Sequence, residues 1–508
     1  MGTSEHFFNC CGRPSPDALP RPGSATHGHS PTPSVASWDD FSAFQDNTPV
    51  PSPMNAALSI RSPQPMPQDS RSQFICIFAD LLIPGRGAPV TNAAVGISLE
   101  TGTISFVGPQ GSDLPSDIAS APRTHVRCLM PGLWDCHIHY SGIINVDTPL
   151  FFQTHPAYMG AAITRGLHET LMGGVTSVRD LGSLVPEVLP LLDAGIILGP
   201  NVYAAGAVIG MTGGGCDAPI LSASQVYSSA GVDPHNAWPG VGIEIIADGP
   251  EELRRAVRLQ IRRGAKCIKV MATGSVLGAT DDPEDREFSD AELKAAIEEA
   301  TLHRRAVAAH AHGKEGMLSA IRAGATSIEH GSYLDEEVAD LMIEHGTTLV
   351  ATRNVIEAGL LNLDKLTPPT ARKMVYLAGS HAKAYATAAR KGVKIALGTD
   401  ICSAIPGTPM AHGSNAREVV WAVEVGGLTP LQAIEAGTIN SAEILGPQTP
   451  KKGLVKVGWD ADLIALDVSP LEDIRVFMDR DNIRHVWKGG DLVKAPGFVK
   501  MWPSLKAK

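Results

Sequence analysis

The sequence predicts an α/β protein whose main body is a (β/α)8 TIM barrel, with a small β-sandwich built from segments at both chain ends. Two patterns indicate this fold. Over about 300 residues, short apolar runs typical of strands alternate with helical stretches, as in a (β/α)8 barrel. On either side of this region lie apolar runs broken by turn residues, FICIFADLLIPGRGAPV from residue 74 and GLVKVGWDADLIALD from residue 453. One sheet assembled from both chain ends would explain the flanking runs.

Four segments follow from these patterns. Residues 1–72 are rich in Pro and Ser and poor in large aliphatic side chains, so we expect a disordered N-terminal extension. Residues 73–124 are expected to form the first part of the β-sandwich, residues 125–447 the barrel, and residues 448–508 the second part of the sandwich with a C-terminal tail.

Composition excludes several classes of function. The chain has 508 residues, and 42 Lys and Arg against 53 Asp and Glu give a net charge of −11. Bulk attraction to nucleic acid or to an anionic membrane is therefore not expected. Eight cysteines in so long a chain indicate a reduced compartment rather than a disulfide framework. We find neither an apolar run long enough to span a membrane nor a secretory signal, and we expect a cytoplasmic protein.

Eight strands are predicted for the barrel, with the first two apolar runs counted as one. They are THVRCLM with GLWDCH (124–130 and 132–137), VTSVRDL (175–181), NVYAAG (201–206), CIKVMA (267–272), AVAAHAH (306–312), TSIEHG (326–331), TLVAT (348–352) and VKIALGTD (393–400). Between them, residues 252–265 predict an amphipathic helix with arginines on its solvated face. Asp290 is expected to cap a second helix, and Pro430 to open a later one.

Polar residues of metal-ligand type stand at the ends of several predicted strands. His137 and His139 alternate after an apolar strand, so both imidazoles point the same way. His310 and His330 each end an apolar run, and Asp400 closes the eighth strand. Imidazole and carboxylate are common zinc ligands, and a barrel brings the carboxyl ends of its strands to one mouth. The sequence therefore predicts a metal site at that mouth.

Lys269 lies inside an apolar strand, where an unpaired lysine is rare. Two interpretations are open. The lysine pairs with a carboxylate, such as Asp281 or Asp282. Alternatively its amine, with a pKa lowered by burial and neighbouring cations, adds carbon dioxide and becomes a carbamate that bridges two cations.

These motifs resemble the binuclear metal branch of the amidohydrolase superfamily. The phrases MPGLWDCHIHY, IKVMATG, AAHAHG, SIEHGSY, ALGTD and GWDADLIALD are most similar to its Xaa-Pro dipeptidase-like group, which includes ochratoxinase, from about residue 73 to about 496. The resemblance implies two divalent metal ions, expected to be zinc, and a homo-oligomer of up to eight chains. The implied ligands are His137, His139 and Asp400 for one ion, His310 and His330 for the other, and carboxylated Lys269 as the bridge.

One position departs from the group. Its members tend to carry Gly-Gly after the lysine strand, whereas this chain has Gly274 and Ser275. Loss of a permissive glycine can reshape that loop, so the departure concerns substrate preference rather than the metal site.

The activity implied is hydrolysis of an amide bond in N-acyl amino acids or dipeptides with a free carboxylate, amides like ochratoxin A among them. A metal-bridging hydroxide would attack the carbonyl, and Asp400 would act as general base and then acid. The candidate substrate-binding residues are His312, Arg353 and Tyr203. Two alternatives remain open: a cyclic amide hydrolase or deaminase of the same superfamily, and a non-catalytic scaffold like the dihydropyrimidinase-related proteins.

Overall fold

The computed structural model describes residues 72–111, 113–142, 154–219, 221–232, 242–276, 281–405, 408 and 410–501. The predicted extension, apart from Ser72, lies outside the described residues. Among those residues, no helix combines the length and the apolar character that a membrane crossing requires.

The strands of the described residues are numbered here in chain order. They are β1 (Phe74–Leu82), β2 (Val90–Ser98), β3 (Thr103–Pro109), β4 (Arg123–Pro131), β5 (Leu133–Ile138), β6 (Val175–Asp180), β7 (Asn201–Ala204), β8 (Val208–Gly210), β9 (Glu244–Ile246), β10 (Cys267–Met271), β11 (Ala306–Ala311), β12 (Ser327–His330), β13 (Thr348–Val350), β14 (Leu463–Leu466), β15 (Ile483–Lys488), β16 (Asp491–Ala495) and β17 (Phe498–Val499).

The α-helices of the same residues are also numbered in chain order. They are α1 (Ser116–Ala119), α2 (Pro156–Met172), α3 (Val185–Asp193), α4 (Ala223–Ala230), α5 (Pro250–Arg262), α6 (Asp290–Leu302), α7 (Lys314–Ala323), α8 (Glu336–His345), α9 (Arg353–Leu360), α10 (Pro368–Lys391), α11 (Arg417–Glu424), α12 (Pro430–Glu435) and α13 (Ser441–Glu443). A π-helical turn, Ala436–Asn440, joins the last two.

The parallel strands form the body of the (β/α)8 barrel. One sheet has the order β5-β6-β7 and the other β13-β12-β11-β10-β8-β9. The backbone N–H of Lys266, just before β10, donates to the carbonyl of Ala204 at the end of β7. The extended segment 393–401, which covers the predicted eighth barrel strand and is called the eighth segment here, bridges in parallel to β13 at Ile395 and to β5 at Ile401. The predicted fold class is thereby confirmed.

Helices cover the outside of these strands. On α5 the buried residues include Leu253, Ala256 and Val257, as the amphipathic pattern predicts. The cap expected of Asp290 is wrong by one residue, because Ser289 forms the capping box of α6 with Glu292. A serine side chain that precedes the helix can reach the third helical N–H, whereas Asp290 is already inside the first turn.

The antiparallel sheet joins the two ends of the described chain. Its order is β17-β16-β15-β14-β4-β1-β2-β3, so β4 lies between β1 from the early segment and β14 from the late one. The sheet curls back on itself, since Thr103 pairs with Asp460. One apolar face of the sheet encloses a core that contains Ile77, Val95 and Trp487. This is the predicted small sandwich.

The run at 124–130, which we counted with the first barrel strand, belongs to this sheet instead. As part of β4 it pairs with β1 and β14. Pro131 and Gly132 end that pairing, and a side chain at Gly132 would collide with Thr176. The first barrel strand therefore begins at Leu133, after the proline-glycine step that separates the two apolar runs. The sequence pattern alone does not show that the two runs belong to different sheets.

Candidate metal centre

One group of candidate ligands forms where β5 and the eighth segment end. His139 Nε2 lies 3.1 Å from Asp400 Oδ1, and His137 Nε2 lies 3.6 Å from the same oxygen. One ligand atom from each of the three residues falls within 4.8 Å of the others. Side chains that the chain separates by more than 250 positions thus meet at one point, because strand ends of a barrel converge.

A second group forms at the ends of β11 and β12. The rings of His310 and His330 have centroids 4.5 Å apart, and His312 stacks on His330 at 4.8 Å. One nitrogen from each of these histidines again falls within 4.8 Å of the others. The ring of His330 is also 4.9 Å from that of His137, so the two groups are adjacent.

Lys269 of β10 lies at the same centre. Its Nζ is 3.3 Å from His137 Nε2, and the residue is only 2% exposed. Burial lowers the pKa of this amine to about 8. The carboxylates named as possible partners are engaged elsewhere: Asp281 accepts from the backbone N–H of Ser275, and Asp282 from that of Glu284. The structure therefore does not support the Asp281 or Asp282 pairing.

The donor set fits divalent metal ions. Burial, together with neighbouring positive charges, lowers the pKa of His137, His310 and His330 well below the usual histidine range, so these imidazoles are neutral donors. Neutral imidazoles with a carboxylate suit zinc, and they also accept other divalent ions of the first transition row.

Two buried carboxylates behind the candidate ligands were not predicted from the sequence. Glu329 Oε2 lies 2.8 Å from His137 Nδ1. Asp135 accepts hydrogen bonds from the backbone N–H of His137 and from the hydroxyl and backbone N–H of Thr399, next to Asp400. Burial raises the pKa of Asp135 to about 6. In the sequence these two residues stood out only as acidic side chains inside apolar strands, one position before His330 and two positions before His137.

Strained backbone marks the same strand ends. His330, Thr352 and Asp400 have φ values of 72°, 53° and 61°. Residues with a Cβ seldom adopt this left-handed region, at a cost of about 1–3 kcal/mol each. The hydroxyl of Thr352 is 2.7 Å from His330 Nδ1, so one strained residue fixes the ring of another. Such strain is typical of functional sites.

The three candidate substrate residues have different surroundings. His312 belongs to the second histidine group, with Nδ1 2.7 Å from the Ser332 hydroxyl. Arg353 opens α9 and donates to Glu357 and to the carbonyl of Ala378. Tyr203 of β7 stacks on Trp134 of β5, with ring centroids 5.3 Å apart. The structure thus brings His312 to the centre, whereas the partners of Arg353 include Glu357 and His381, and Tyr203 stacks on Trp134.

The loop that carries the departure at Ser275 adjoins the centre. The carbonyl of Gly274 lies 3.2 Å from His310 Nε2, and Lys373 of α10 donates to the carbonyls of Ser275 and Asp281. A Cβ at Gly274 would lie 2.2 Å from the carbonyl oxygen of Asp282. The glycine at the first of the two positions is therefore required, and residues 277–280 of the loop lie outside the described part of the chain.

Known proteins resemble this chain in both sequence and fold. Residues 128–493 match the model of the amidohydrolase family. The chain is 47% identical over 454 residues to ochratoxinase from Aspergillus niger, which covers 88% of this chain and 92% of that protein. The crystal structure of A. niger ochratoxinase superposes with a TM-score of 0.79, covering 85% of this chain and 98% of that one. A Xaa-Pro dipeptidase with methionine bound in its active site, 30% identical, superposes with a TM-score of 0.70 over 83% of this chain and all of that one. The chain belongs to the amidohydrolase family.

Proposed function

We propose that this protein is a metal-dependent hydrolase that cleaves the amide bond of N-acyl amino acids or dipeptides with a free carboxylate, including amides of the ochratoxin A type. The observation that carries the proposal is the pair of adjacent ligand groups with a buried lysine beside them. The names of the relatives support the substrate class, since one is an ochratoxinase and another a Xaa-Pro dipeptidase.

Six side chains would hold two divalent ions. His137, His139 and Asp400 are proposed for the first ion, His310 and His330 for the second, and Lys269 for both. The lowered pKa of Lys269 favours the neutral amine, which adds carbon dioxide and releases a proton to become a carbamate anion. Two such ions supply a water of lowered pKa and a polarised amide carbonyl.

Asp400 is the proposed general base and acid. Its side chain is partly exposed at the carboxyl end of the strands, and its Oδ1 is held 3.1 Å from His139 Nε2. From this position the carboxylate can take the proton of the attacking water and then deliver it to the leaving nitrogen. His312 is proposed to donate to the substrate carbonyl or carboxylate, as its place in the second group allows.

A substrate panel tests the reaction class. Purified protein would be assayed against N-acyl amino acids, dipeptides and ochratoxin A, and in parallel against hydantoins and purines. We expect turnover in the first set. Turnover confined to hydantoins or purines would instead assign a cyclic amide hydrolase or a deaminase.

Metal analysis tests the binuclear centre. We expect about two ions per chain, and less than about one would favour a non-catalytic scaffold. A Lys269→Ala variant, assayed with bicarbonate present throughout, is expected to lose both metal and activity. Retention of both would remove the carbamate from the proposal.

A further inference from the structure

A fully buried guanidinium lies within the barrel behind the candidate metal centre. Arg179 of β6 has no solvent exposure, yet each of its nitrogens has a partner. Its Nε donates to the carbonyl of Cys136 at 2.7 Å, its Nη1 to the hydroxyl of Ser327 at 3.0 Å, and its Nη2 to Glu329 Oε1 at 2.7 Å. One side chain from the second barrel strand thereby connects β5 with β12.

Glu329 carries this connection to a metal-site histidine. It is also fully buried, and while its Oε1 accepts from Arg179 and Ser327, its Oε2 lies 2.8 Å from His137 Nδ1. A carboxylate paired with a guanidinium can only accept hydrogen bonds, so the proton between Glu329 and His137 belongs to Nδ1. The lone pair of the ring is then on Nε2, the atom that faces Lys269 and Asp400.

The other histidines of the two groups are supported by neutral oxygens. Those oxygens are the carbonyls of Gly182 for His139 and Gly274 for His310, and the hydroxyls of Ser332 for His312 and Thr352 for His330. Of these five rings, His137 alone is backed by a carboxylate within the described residues. A buried carboxylate makes the imidazole a stronger donor to a metal and fixes its orientation.

We propose that Arg179 is a positioning residue that acts through Glu329: it locks the carboxylate in place, and the carboxylate holds His137 in the tautomer that presents Nε2 to the metal centre. The inference rests on the proposed function, because the ion that Nε2 would bind is the one proposed there. Arg179 itself touches neither the ions nor the substrate in this scheme.

A Glu329→Gln variant tests the chain of contacts. Its affinity for zinc, measured by competition with a chromophoric chelator, is expected to fall about 10–100-fold. In metal-free protein labelled with ¹⁵N-histidine, the wild-type signal of His137 should report the Nδ1–H tautomer, and the variant should report a mixture of both tautomers. The tautomer measurement requires neither activity nor a bound metal ion.

A second variant keeps the inference falsifiable if Glu329→Gln does not fold. Arg179→Lys retains the buried charge but lacks the planar fork that reaches three acceptors at once. We expect it to fold, to weaken zinc binding in the same direction, and to admit the second tautomer. Wild-type zinc affinity together with a single Nδ1–H tautomer in either folded variant would overturn the inference.

Glu299→Gln is the matched control. Glu299 of α6 is a buried carboxylate that accepts from Arg258 at 2.7 and 3.0 Å and lies 3.3 Å from His303, so it repeats the same chemistry away from the metal centre. This variant should leave zinc affinity and the signal of His137 unchanged. If wild-type protein binds no zinc, the proposed function fails; if it binds zinc and the variants do as well, only the positioning role fails.

Discussion

Replacing Lys269 with Met should stabilise the metal-free protein while it abolishes the metal centre. The methionine has nearly the same length and no charge, so it can occupy the buried position beside His137. The two effects oppose each other because the buried amine costs stability, while in the proposed function it holds the metal ions.

The size of the stabilisation follows from the pKa of the amine. Burial lowers that pKa from 10.5 to about 8 in the folded protein. The native state therefore loses its proton near pH 8 and the unfolded chain near pH 10.5, so stability rises with pH between these values. Below pH 8 the whole burial penalty is present, and at 1.36 kcal/mol for each pH unit it amounts to about 3 kcal/mol. A Lys269→Met variant avoids this penalty.

Urea unfolding in a chelator and in buffer freed of carbon dioxide measures the effect. At pH 7 the unfolding free energy of Lys269→Met should exceed that of the wild type by up to about 3 kcal/mol, and the difference should shrink as the pH is raised from 8 to 10.5. With zinc and bicarbonate the order should reverse, because only the wild type gains from binding. A variant that is less stable without metal at pH 7, or a difference that does not change with pH, would refute the reasoning.

Three further predictions concern the surroundings of the centre. In Gly398→Ala the new Cβ would lie 2.7 Å from the backbone nitrogen and the Cβ of His137, so we expect loss of bound metal and a stability lower by about 1–3 kcal/mol. The control is Gly379→Ala, whose Cβ meets nothing within 4 Å and which should keep the metal. An equal loss of metal in both variants would contradict this account. Burial raises the pKa of Glu418 from 4.5 to about 8, so the folded protein loses stability as the pH rises from 4.5 to 8 and this carboxyl ionises. Urea titrations across this range should show a smaller decline of the unfolding free energy in Glu418→Gln than in the wild type. Arg353→Lys should lower Tm while changing KM for N-acyl amino acids less than about twofold, because its guanidinium already donates to Glu357 and to the carbonyl of Ala378. A rise in KM of about tenfold at unchanged Tm would instead show that Arg353 binds the substrate.

The fold was predictable because its signals are local. Apolar runs of strand length, separated by amphipathic helices, specify the alternation of a barrel wherever they occur. The run at 124–130 was assigned to the wrong sheet because a strand's composition does not state its neighbours. The sheet to which this run belongs is set by the pairing of β4 with β1 and with β14, two strands that lie more than 300 residues apart in the chain.

The metal-site candidates could be named from the sequence because several predicted strands end in imidazole or carboxylate residues, and a barrel brings those ends to one mouth. Their supporting residues could not. Glu329 and Asp135 look like chance polar residues in buried strands, and their partners Arg179 and Asn415 come from distant parts of the chain. Arg353 stays a prediction: its chemistry suits a substrate carboxylate, and in the structure its guanidinium pairs with a glutamate one helical turn later.

The placement of β4 between β1 and β14 has a consequence for biosynthesis. The strands β14, β15 and β16 follow the barrel in the chain, so during synthesis of the barrel β4 is paired with β1 on one edge only. Contacts of such long sequence separation form slowly. We therefore expect a stop codon placed before Leu463 to yield an insoluble product rather than a trimmed enzyme, since β4 would emerge with one edge bare.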